Sequence, residues 1–310
     1  MTITVGIAGI TGKFGRLVAT HLLKNPEVTL RGFCRDPSKV ISSIASNPKV
    51  QLFQGDAYDH DKIRAFVRGS DVVICSYLGD DKLMVDGQKA LIDACEAEGV
   101  PRYIASDWAL DYTKLEFGQL FVKDPMKHVK AYLETKDKVK GVHILVGGFM
   151  NPVFSPLFNI LDAKNNVIKY WGEGTEPWEG TSYENAAQYT AAVAADPQAV
   201  GIQKFLGDRK TIKEIAASFK KVYGVEPKLE RQGSLEDLKA RMHALRSENP
   251  SEIFSYMFLF FFYYWLNGQT FVGPETDNHK YPDIKPETWE DFMQKRSVEE
   301  LVGSYFALSM

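Results

Sequence analysis

The stretch running from Ile3 to Gly15 constrains this chain most. An apolar, strand-like run, ITVGIA, passes directly into GITGKFG and then into the helical pattern RLVATHLL. Three glycines at G-x-x-G-x-x-G spacing cost backbone entropy that a plain turn has no reason to spend. Between a strand and a helix each has a task. Gly9 permits the tight turn, Gly12 lets backbone approach a phosphate closely, and Gly15 lets the helix pack against the sheet. The helix N-terminus then offers amide donors and a positive dipole to a pyrophosphate. Thr11, Lys13 and Phe14 belong to the same loop and are taken with it as cofactor-binding candidates. The segment is expected to bind a dinucleotide.

The rest of the first half repeats the alternation. Strand-like runs at VTLRGFC, VQLF, DVVICSY, RYIAS and VHILV are separated by helical patterns. This order predicts an α/β fold with a Rossmann-type, doubly wound parallel sheet. From residue 149 the pattern changes to proline-rich loops, short helices and late strands. The expected division is a Rossmann domain over 1–148 and a smaller, partly interleaved substrate-binding lobe over 149–310.

Composition removes several function classes. The net charge of −3 provides no global field for nucleic acid. The three cysteines, Cys34, Cys75 and Cys95, form no C-x-x-C pair and suit burial in a reducing compartment. The scattered histidines suggest no metal site. The most apolar run, YMFLFFFYYWL, is shorter than the roughly 20 residues a membrane helix needs and reads as a buried helix. No basic leader precedes the first strand, so a cytoplasmic location is expected.

The end of the second strand selects the dinucleotide. An NAD site places an acid there for the ribose hydroxyls, whereas this chain has GFCRDP, with Arg35 in that place. A guanidinium matches a 2′-phosphate with two prongs, and Lys39 and Lys13 add charge nearby. Asp36 precedes a proline and reads as a turn starter. The expected cofactor is NADP(H).

On GITGKFG, Arg35, FQGDAYDHDKIRAFVRGSDVVICS, RYIASDWALD, KDPMKHVKAYLE and GGFMNPVF, the chain resembles the NmrA-like and isoflavone-reductase-like atypical short-chain dehydrogenases. The resemblance extends to about Leu245, and the part around YMFLFFFYYWL is similar to a fungal subgroup. It implies that Asp56 lies beside the adenine, and that Ser76, Tyr77 and Leu78 line the nicotinamide channel. It also implies that Ser106, Asp107 and Trp108 end the fifth strand near the reacting centre, and that Gly148, Phe149, Met150 and Asn151 flank nicotinamide and substrate. Members of this group reduce phenolic natural products, serve fungal alkaloid and polyketide pathways, or sense NADP without turnover.

Such reductases keep a proton-donating lysine in the first turn of the helix after the fifth strand. Aligning Val129 and the Tyr132–Leu133 pair to that pattern places Met126 in the slot. Asp124–Pro125 reads as an N-cap and first-turn proline. Lys127 then falls more than a quarter turn away, solvated or carried inward by an irregular helix start. Tyr132 and Lys136 have Y-x-x-x-K spacing, yet lie too far along the helix to reach the reacting centre. Asp107 and Lys127 are the catalytic candidates. Trp108, Met150, Asn151, Trp171, Tyr183 and Trp265 are the substrate-binding candidates, because aromatic residues wall large apolar pockets.

The expected function is an NADP(H)-dependent oxidoreductase acting on a bulky aromatic or alkaloid natural product in fungal secondary metabolism, with hydride transfer coupled in one variant to cyclisation. An NADP-sensing regulatory protein and a redox-neutral cyclase or isomerase are the alternatives. The partner is a small molecule, with no nucleic acid or membrane, and the oligomeric state stays open.

Overall fold

The structure, a computed structural model, describes residues 2–307. Its main sheet contains β1 (Ile3–Ala8), β2 (Val28–Cys34), β3 (Val50–Gln54), β4 (Val72–Cys75), β5 (Arg102–Ile104), β6 (Lys140–Leu145) and a late strand, Gly201–Lys204. Their order is Gly201–Lys204, β6, β5, β4, β1, β2, β3. The pairings β1–β2, β1–β4, β2–β3, β4–β5 and β5–β6 are parallel. Strand order reverses between β1 and β4, which is the Rossmann switch point, where ligands sit beyond the carboxyl ends of the strands.

Local sequence explains these elements. All four residues of β4, VVIC, are buried, as expected for a central parallel strand covered on both faces. Helix α1 (Lys13–Leu22) buries Gly15, Val18, Ala19 and Leu22, one stripe at helical spacing. The Gln88–Glu98 helix stops at Gly99, which takes the left-handed conformation (φ 72°) and donates its amide to the Cys95 carbonyl. Phe33, Phe66, Leu91, Tyr103 and Val129 belong to the buried cluster of this unit. Each such side chain contributes about 1.5–3 kcal/mol by leaving water. Cys34, Cys75 and Cys95 are free and buried.

The chain divides into two compact units, and both are discontinuous. The first comprises 1–108, 123–145 and 186–203; the second comprises 109–122, 146–185 and 204–310. The expected interleaving thus takes the form of 109–122 and 146–148 lying in the second unit and 186–203 in the first, and the second unit is as large as the first rather than smaller. The late strand Gly201–Lys204 extends the main sheet from far along the chain, a connection that local pattern does not reveal.

The second unit holds two three-stranded sheets. One orders Asp208–Thr211, Pro177–Thr181 and Gly148–Phe149; the other orders Lys228–Gly233, Val167–Trp171 and Leu161–Asp162. The Ile212–Tyr223 and Leu235–Glu248 helices start with capping boxes, Thr211 with Glu214 and Ser234 with Asp237. The apolar run forms the Ile253–Leu266 helix, which buries Tyr256, Phe260, Phe262, Tyr264, Trp265 and Leu266. Among the described residues, no helix is long and apolar enough to cross a membrane.

Candidate cofactor and proton-transfer site

The glycine turn has the geometry that its spacing requires. Gly9 has φ 82°, and a Cβ there would lie 2.9 Å from the Ser76 carbonyl oxygen. A Cβ on Gly15 would lie 2.6 Å from the Gly9 carbonyl oxygen, so α1 can approach the turn only through a residue without a side chain. Gly9 donates its amide to the Phe33 carbonyl at 2.9 Å, and Gly12 donates to the Gly9 carbonyl at 2.9 Å. Gly12 is exposed, and its own Cβ position meets only the Gly9 oxygen at 3.2 Å and the Ser76 oxygen at 3.8 Å. The turn is thus fixed from beneath and open above. Lys13 and Phe14 are partly buried, Thr11 likewise, and burial together with Arg16 lowers the Lys13 pKa.

Arg35 directly follows β2 and is exposed. Asp36 is occupied by its own turn. Its Oδ1 accepts the Ser38 amide at 3.0 Å and the Ser38 hydroxyl at 2.6 Å, and these bonds hold its carboxyl below the usual range. Lys39 is exposed, 4.0 Å from Asp36 Oδ2. Asp56 is exposed after β3 and accepts the Tyr58 amide at 3.1 Å. Leu78 is 85% exposed, and an apolar side chain so placed at the sheet's carboxyl edge suits contact with a ligand.

Ser76 and Tyr77 provide the test of whether a polar ligand fits here. Ser76 Oγ and the Tyr77 hydroxyl are buried with no hydrogen-bond partner among the described residues. Buried polar atoms are ordinarily satisfied, so two orphans at the carboxyl end of β4 mark a place where a polar ligand would complete them. Burial pushes the Tyr77 phenol far above its ordinary pKa. It stays neutral and can donate a hydrogen bond.

The end of β5 is tied down from below. Gln88 is fully buried. Its Nε2 donates to the Met84 carbonyl at 2.8 Å, while its Oε1 accepts the Ser106 amide at 3.1 Å and the Tyr103 hydroxyl at 3.2 Å. The turn before it, Leu83–Gly87, is a π-helix, a form often found beside functional sites. Ser106 donates its hydroxyl to the Tyr77 carbonyl at 2.7 Å, joining β5 to β4 at the carboxyl edge. Trp108 has φ 30°, an unfavourable conformation for a bulky residue that its surroundings must hold. Its ring packs on Phe14 at 4.4 Å between centroids, and its Nε1 donates to Thr190 at 2.8 Å. Trp108 thus contacts the glycine turn, where sequence placed it against substrate.

Asp107 is only 4% exposed. Its Oδ2 is hydrogen-bonded to His143 Nδ1 at 2.7 Å, and its Oδ1 is buried without a partner among the described residues. A carboxylate only accepts, so Nδ1 carries the proton. Sequence reading found Asp107 but not His143, one of the scattered histidines. The available signal was a polar residue in the otherwise apolar core of VHILV.

The helix after β5 spans Asp124–Leu133 and is preceded by a 3₁₀ turn, Phe121–Lys123. The residue before its first turn is Lys123, already in helical conformation, so Asp124 is not the N-cap. The 3₁₀ turn carries helical backbone one residue further back than the sequence reading allowed. Asp124 Oδ1 instead accepts from Lys127 at 3.0 Å, and the Lys127 side chain keeps only 9% of its surface. Lys127 is therefore not solvated; Asp124 engages its ammonium. Met126 is buried at 6% exposure. Tyr132 and Lys136 both donate to Asp93 Oδ1, at 2.6 and 2.7 Å, which engages them on the Gln88–Glu98 helix.

Lys123 was not among the candidates read from the sequence. Burial lowers its ammonium to about 8, and the Asp107 carboxylate acts in the opposite direction. The residue as a whole keeps part of its surface in solvent, so the desolvation falls on the ammonium end.

In the second unit, Phe149 stacks on Tyr183 with centroids 4.1 Å apart. Both are partly exposed and form one aromatic face, beside Gly148. Met150, Asn151 and Trp265 are corrections to the substrate set. Met150 is fully buried, and Asn151 holds the Tyr183 amide at 2.9 Å through its Oδ1. Trp265 packs on Trp178 at 4.9 Å and donates Nε1 to the Glu179 carbonyl at 3.0 Å. Core packing uses these side chains. Trp171 lines a separate cavity of about 240 Å³ with Phe158, Phe258 and Phe262, together with Lys169 and Arg241. The buried Glu179 carboxylate, which sequence reading missed, accepts the Val272 and Gly273 amides at 2.5 and 3.0 Å. Among the described residues, no cluster of histidine, cysteine or acidic side chains could hold a metal.

Comparisons agree with this geometry. Residues 9–143 match a family model described as NAD(P)H-binding. An NmrA-like family domain-containing oxidoreductase, notA, of Aspergillus sp. (strain MF297-2) is 27% identical over 200 residues, covering 56% of this chain and 59% of that protein. An isoflavone reductase of Cicer arietinum is 25% identical over 219 residues, covering 62% of this chain and 66% of that protein. Oxidoreductase dmxR7 of Cryptosporiopsis sp. (strain 8999) is 32% identical over 83 residues, 26% of this chain and 35% of that protein. The chain thus spans about a third to two thirds of the length of the curated relatives it matches. A solved structure of AtPrR2 with NADP+ and (+)pinoresinol superposes with TM-score 0.77 at 18% identity, over 95% of this chain and 99% of that one. An isoflavone reductase structure gives the same TM-score at 19% identity, over 95% and 99%.

Proposed function

We propose that this chain, a homologue of NmrA-like oxidoreductases and isoflavone reductases with an NAD(P)H-binding domain, is an NADP(H)-dependent reductase of a bulky aromatic natural product. One observation carries the choice of NADP. The acid beside the end of β2, Asp36, is committed to capping Ser38, while Arg35 is exposed. A cation without a competing acid favours a 2′-phosphate over ribose hydroxyls. The glycine turn and the first turn of α1 would hold the pyrophosphate, Asp56 the adenosine, and Ser76 and Tyr77 the nearby polar edge.

Bound NADPH supplies hydride to an electrophilic carbon of the substrate. The chain's own part is to position the acceptor, exclude water and manage the accompanying proton. The orphaned Ser76 and Tyr77 hydroxyls and the exposed Leu78 suit an amphipathic ligand edge. The stacked Phe149–Tyr183 face suits a flat aromatic substrate. The names of the relatives support the class, an isoflavone in one and pinoresinol in another. Similarity to Aspergillus and Cryptosporiopsis oxidoreductases supports a place in fungal secondary metabolism.

The test is cofactor preference. Arg35→Ala should weaken NADPH binding by about 10- to 100-fold and leave NADH within about threefold, the loss of one two-pronged charged contact. Equal loss for both cofactors would overturn the NADP assignment. Incubation with isoflavones and pinoresinol under NADPH, with product analysis, then separates reduction from ring formation. A chain that binds NADPH tightly but converts none of them is a sensor.

A further inference from the structure

We propose that the second unit carries a binding site of its own, for a small, flat aromatic carboxylate, in the cavity of about 240 Å³ beside Trp171. The inference does not depend on the reductase reading, because its readout is binding alone. The Ile253–Leu266 helix explains why such a cavity exists. It has no charged residue, and a helix apolar on every side calls for cover on every side. Its last turn receives that cover, since Tyr264, Trp265 and Leu266 are buried. Its first turns do not: Phe254 is 79% exposed, and Phe258 and Leu259 are half-buried. Phe254, Phe258 and Phe262 recur every four residues, so one apolar stripe of the helix lines the cavity.

The other walls supply rings and cations. Phe158 meets Phe258 and Phe262 edge-on, each with centroids 5.1 Å apart. Lys169 and Trp171 stand two residues apart on the Val167–Trp171 strand and therefore share one face. Arg241 and Leu245 stand one turn apart on the Leu235–Glu248 helix. Among the described residues, no acidic side chain lines the cavity. Arg241 is exposed and Lys169 half-buried, and neither side chain makes a hydrogen bond or close ion pair among the described residues. The Asn165 side chain and amide, and after them Lys169, hold the Asp162 carboxyl below the usual range, so Asp162 offsets part of the Lys169 charge. Gln232, which also lines the cavity, donates to Glu230 at 2.9 Å.

These walls define the ligand. Two cations, one of them partly offset, suit a single negative charge, and the Arg241 guanidinium can hold a carboxylate with two prongs. The rings suit a flat apolar body through stacked and edge contacts. The volume is below the roughly 300–1,000 Å³ of sites for drug-sized ligands, so one or two fused rings fill it. The site is distinct from the Phe149–Tyr183 face. Trp265 packs against both Phe158, with centroids 6.2 Å apart, and Gly148, where a Cβ would lie 2.0 Å from the indole. An indole thus stands between the cavity wall and the start of that face.

Isothermal titration calorimetry of the full chain with 2-naphthoate tests the site, with 2-naphthamide as the uncharged isostere. 2-Naphthoate should bind with a Kd below about 1 mM, and the amide at least about tenfold more weakly, the scale of one charge-assisted contact. Raising NaCl from about 0.05 to about 0.5 M should weaken the carboxylate several-fold and leave the amide unchanged. Arg241→Gln should cost about tenfold, and Arg241→Lys less, because an ammonium keeps the charge without the fork. Ser255 also lines the cavity, and Ser255→Trp should fill it and abolish binding. Saturating NADPH should leave the 2-naphthoate affinity within about twofold. Arg241 and Ser255 are exposed, so these variants should keep the fold, and the comparison of acid with amide on the wild type needs no variant. Equal binding of acid and amide, or no binding of 2-naphthoate at about 5 mM, would overturn the proposal. So would displacement of 2-naphthoate by NADPH, or undiminished binding to Ser255→Trp, since either would place the ligand elsewhere. A chain that sediments as a dimer, becomes monomeric as Phe254→Ser and does not bind 2-naphthoate would assign the cavity to a second copy instead.

Discussion

The glycine turn after β1 and the start of the Asp124–Leu133 helix lie in one unit, yet they are specified in different ways. At the turn, backbone decides. Gly9 and Gly15 exist because a Cβ would strike the Ser76 or Gly9 carbonyl, and no neighbouring side chain can substitute for that constraint. At the helix start, side chains decide. Lys123 ends a 3₁₀ turn and is desolvated, Lys127 is paired with Asp124, and Asp107 is bonded to a histidine from β6. Features of the first kind tolerate almost no change. Features of the second kind depend on which side chains separate elements bring together.

The sharpest way to break this contrast is Gly15→Val. The new side chain must displace the Gly9 carbonyl from 2.6 Å, so α1 and the turn separate. We expect NADPH binding to fall by more than about 100-fold and stability by about 3 kcal/mol, read by fluorescence titration and urea unfolding. Normal binding would show that the turn is not the phosphate cradle. Asp107→Ala should come next, costing about 1–3 kcal/mol because the buried His143 loses its hydrogen bond to Asp107. Urea unfolding of the variant checks it, and a neutral result would show that the Asp107–His143 bond adds nothing to stability.

Lys127→Met tests the helix start from the other side. It removes a largely buried ion pair with Asp124 at 3.0 Å, and should cost about 1–3 kcal/mol while turnover stays within about threefold. A collapse of turnover would make Lys127 a functional lysine. The smallest effect is expected for Tyr132→Phe. Its hydroxyl serves Asp93 and Lys136 on the outside of the helix, so stability should change by less than about 1 kcal/mol and cofactor binding not at all.

Much of the first unit was legible for physical reasons. Buried parallel strands such as VVIC leave continuous apolar runs, and glycines with a steric task leave a spacing. Arg35 was legible because strand-end charge is a local property. The surroundings of His143 and Lys123 were not, because they come from elements far apart in the chain: Asp107 follows β5, His143 sits in β6, and Lys123 ends a 3₁₀ turn. Helical spacing likewise explained why the Tyr132–Lys136 pair is remote from the helix start, but could not show that Asp93 holds it. In the second unit, aromatic composition suggested pocket walls. Fully or nearly fully buried Met150 and Trp265 show that the same residue types serve the core, whereas the Phe149–Tyr183 stack keeps an accessible face.

The discontinuity of the two units has a consequence for synthesis. The last strand of the main sheet, Gly201–Lys204, is made after two excursions into the second unit. The nucleotide-binding half therefore cannot be completed on the ribosome until about two thirds of the chain has emerged. Until then the outer edge of β6 stays an open template for strand pairing, so a nascent chain stalled before residue 201 is the form of this protein most exposed to aggregation.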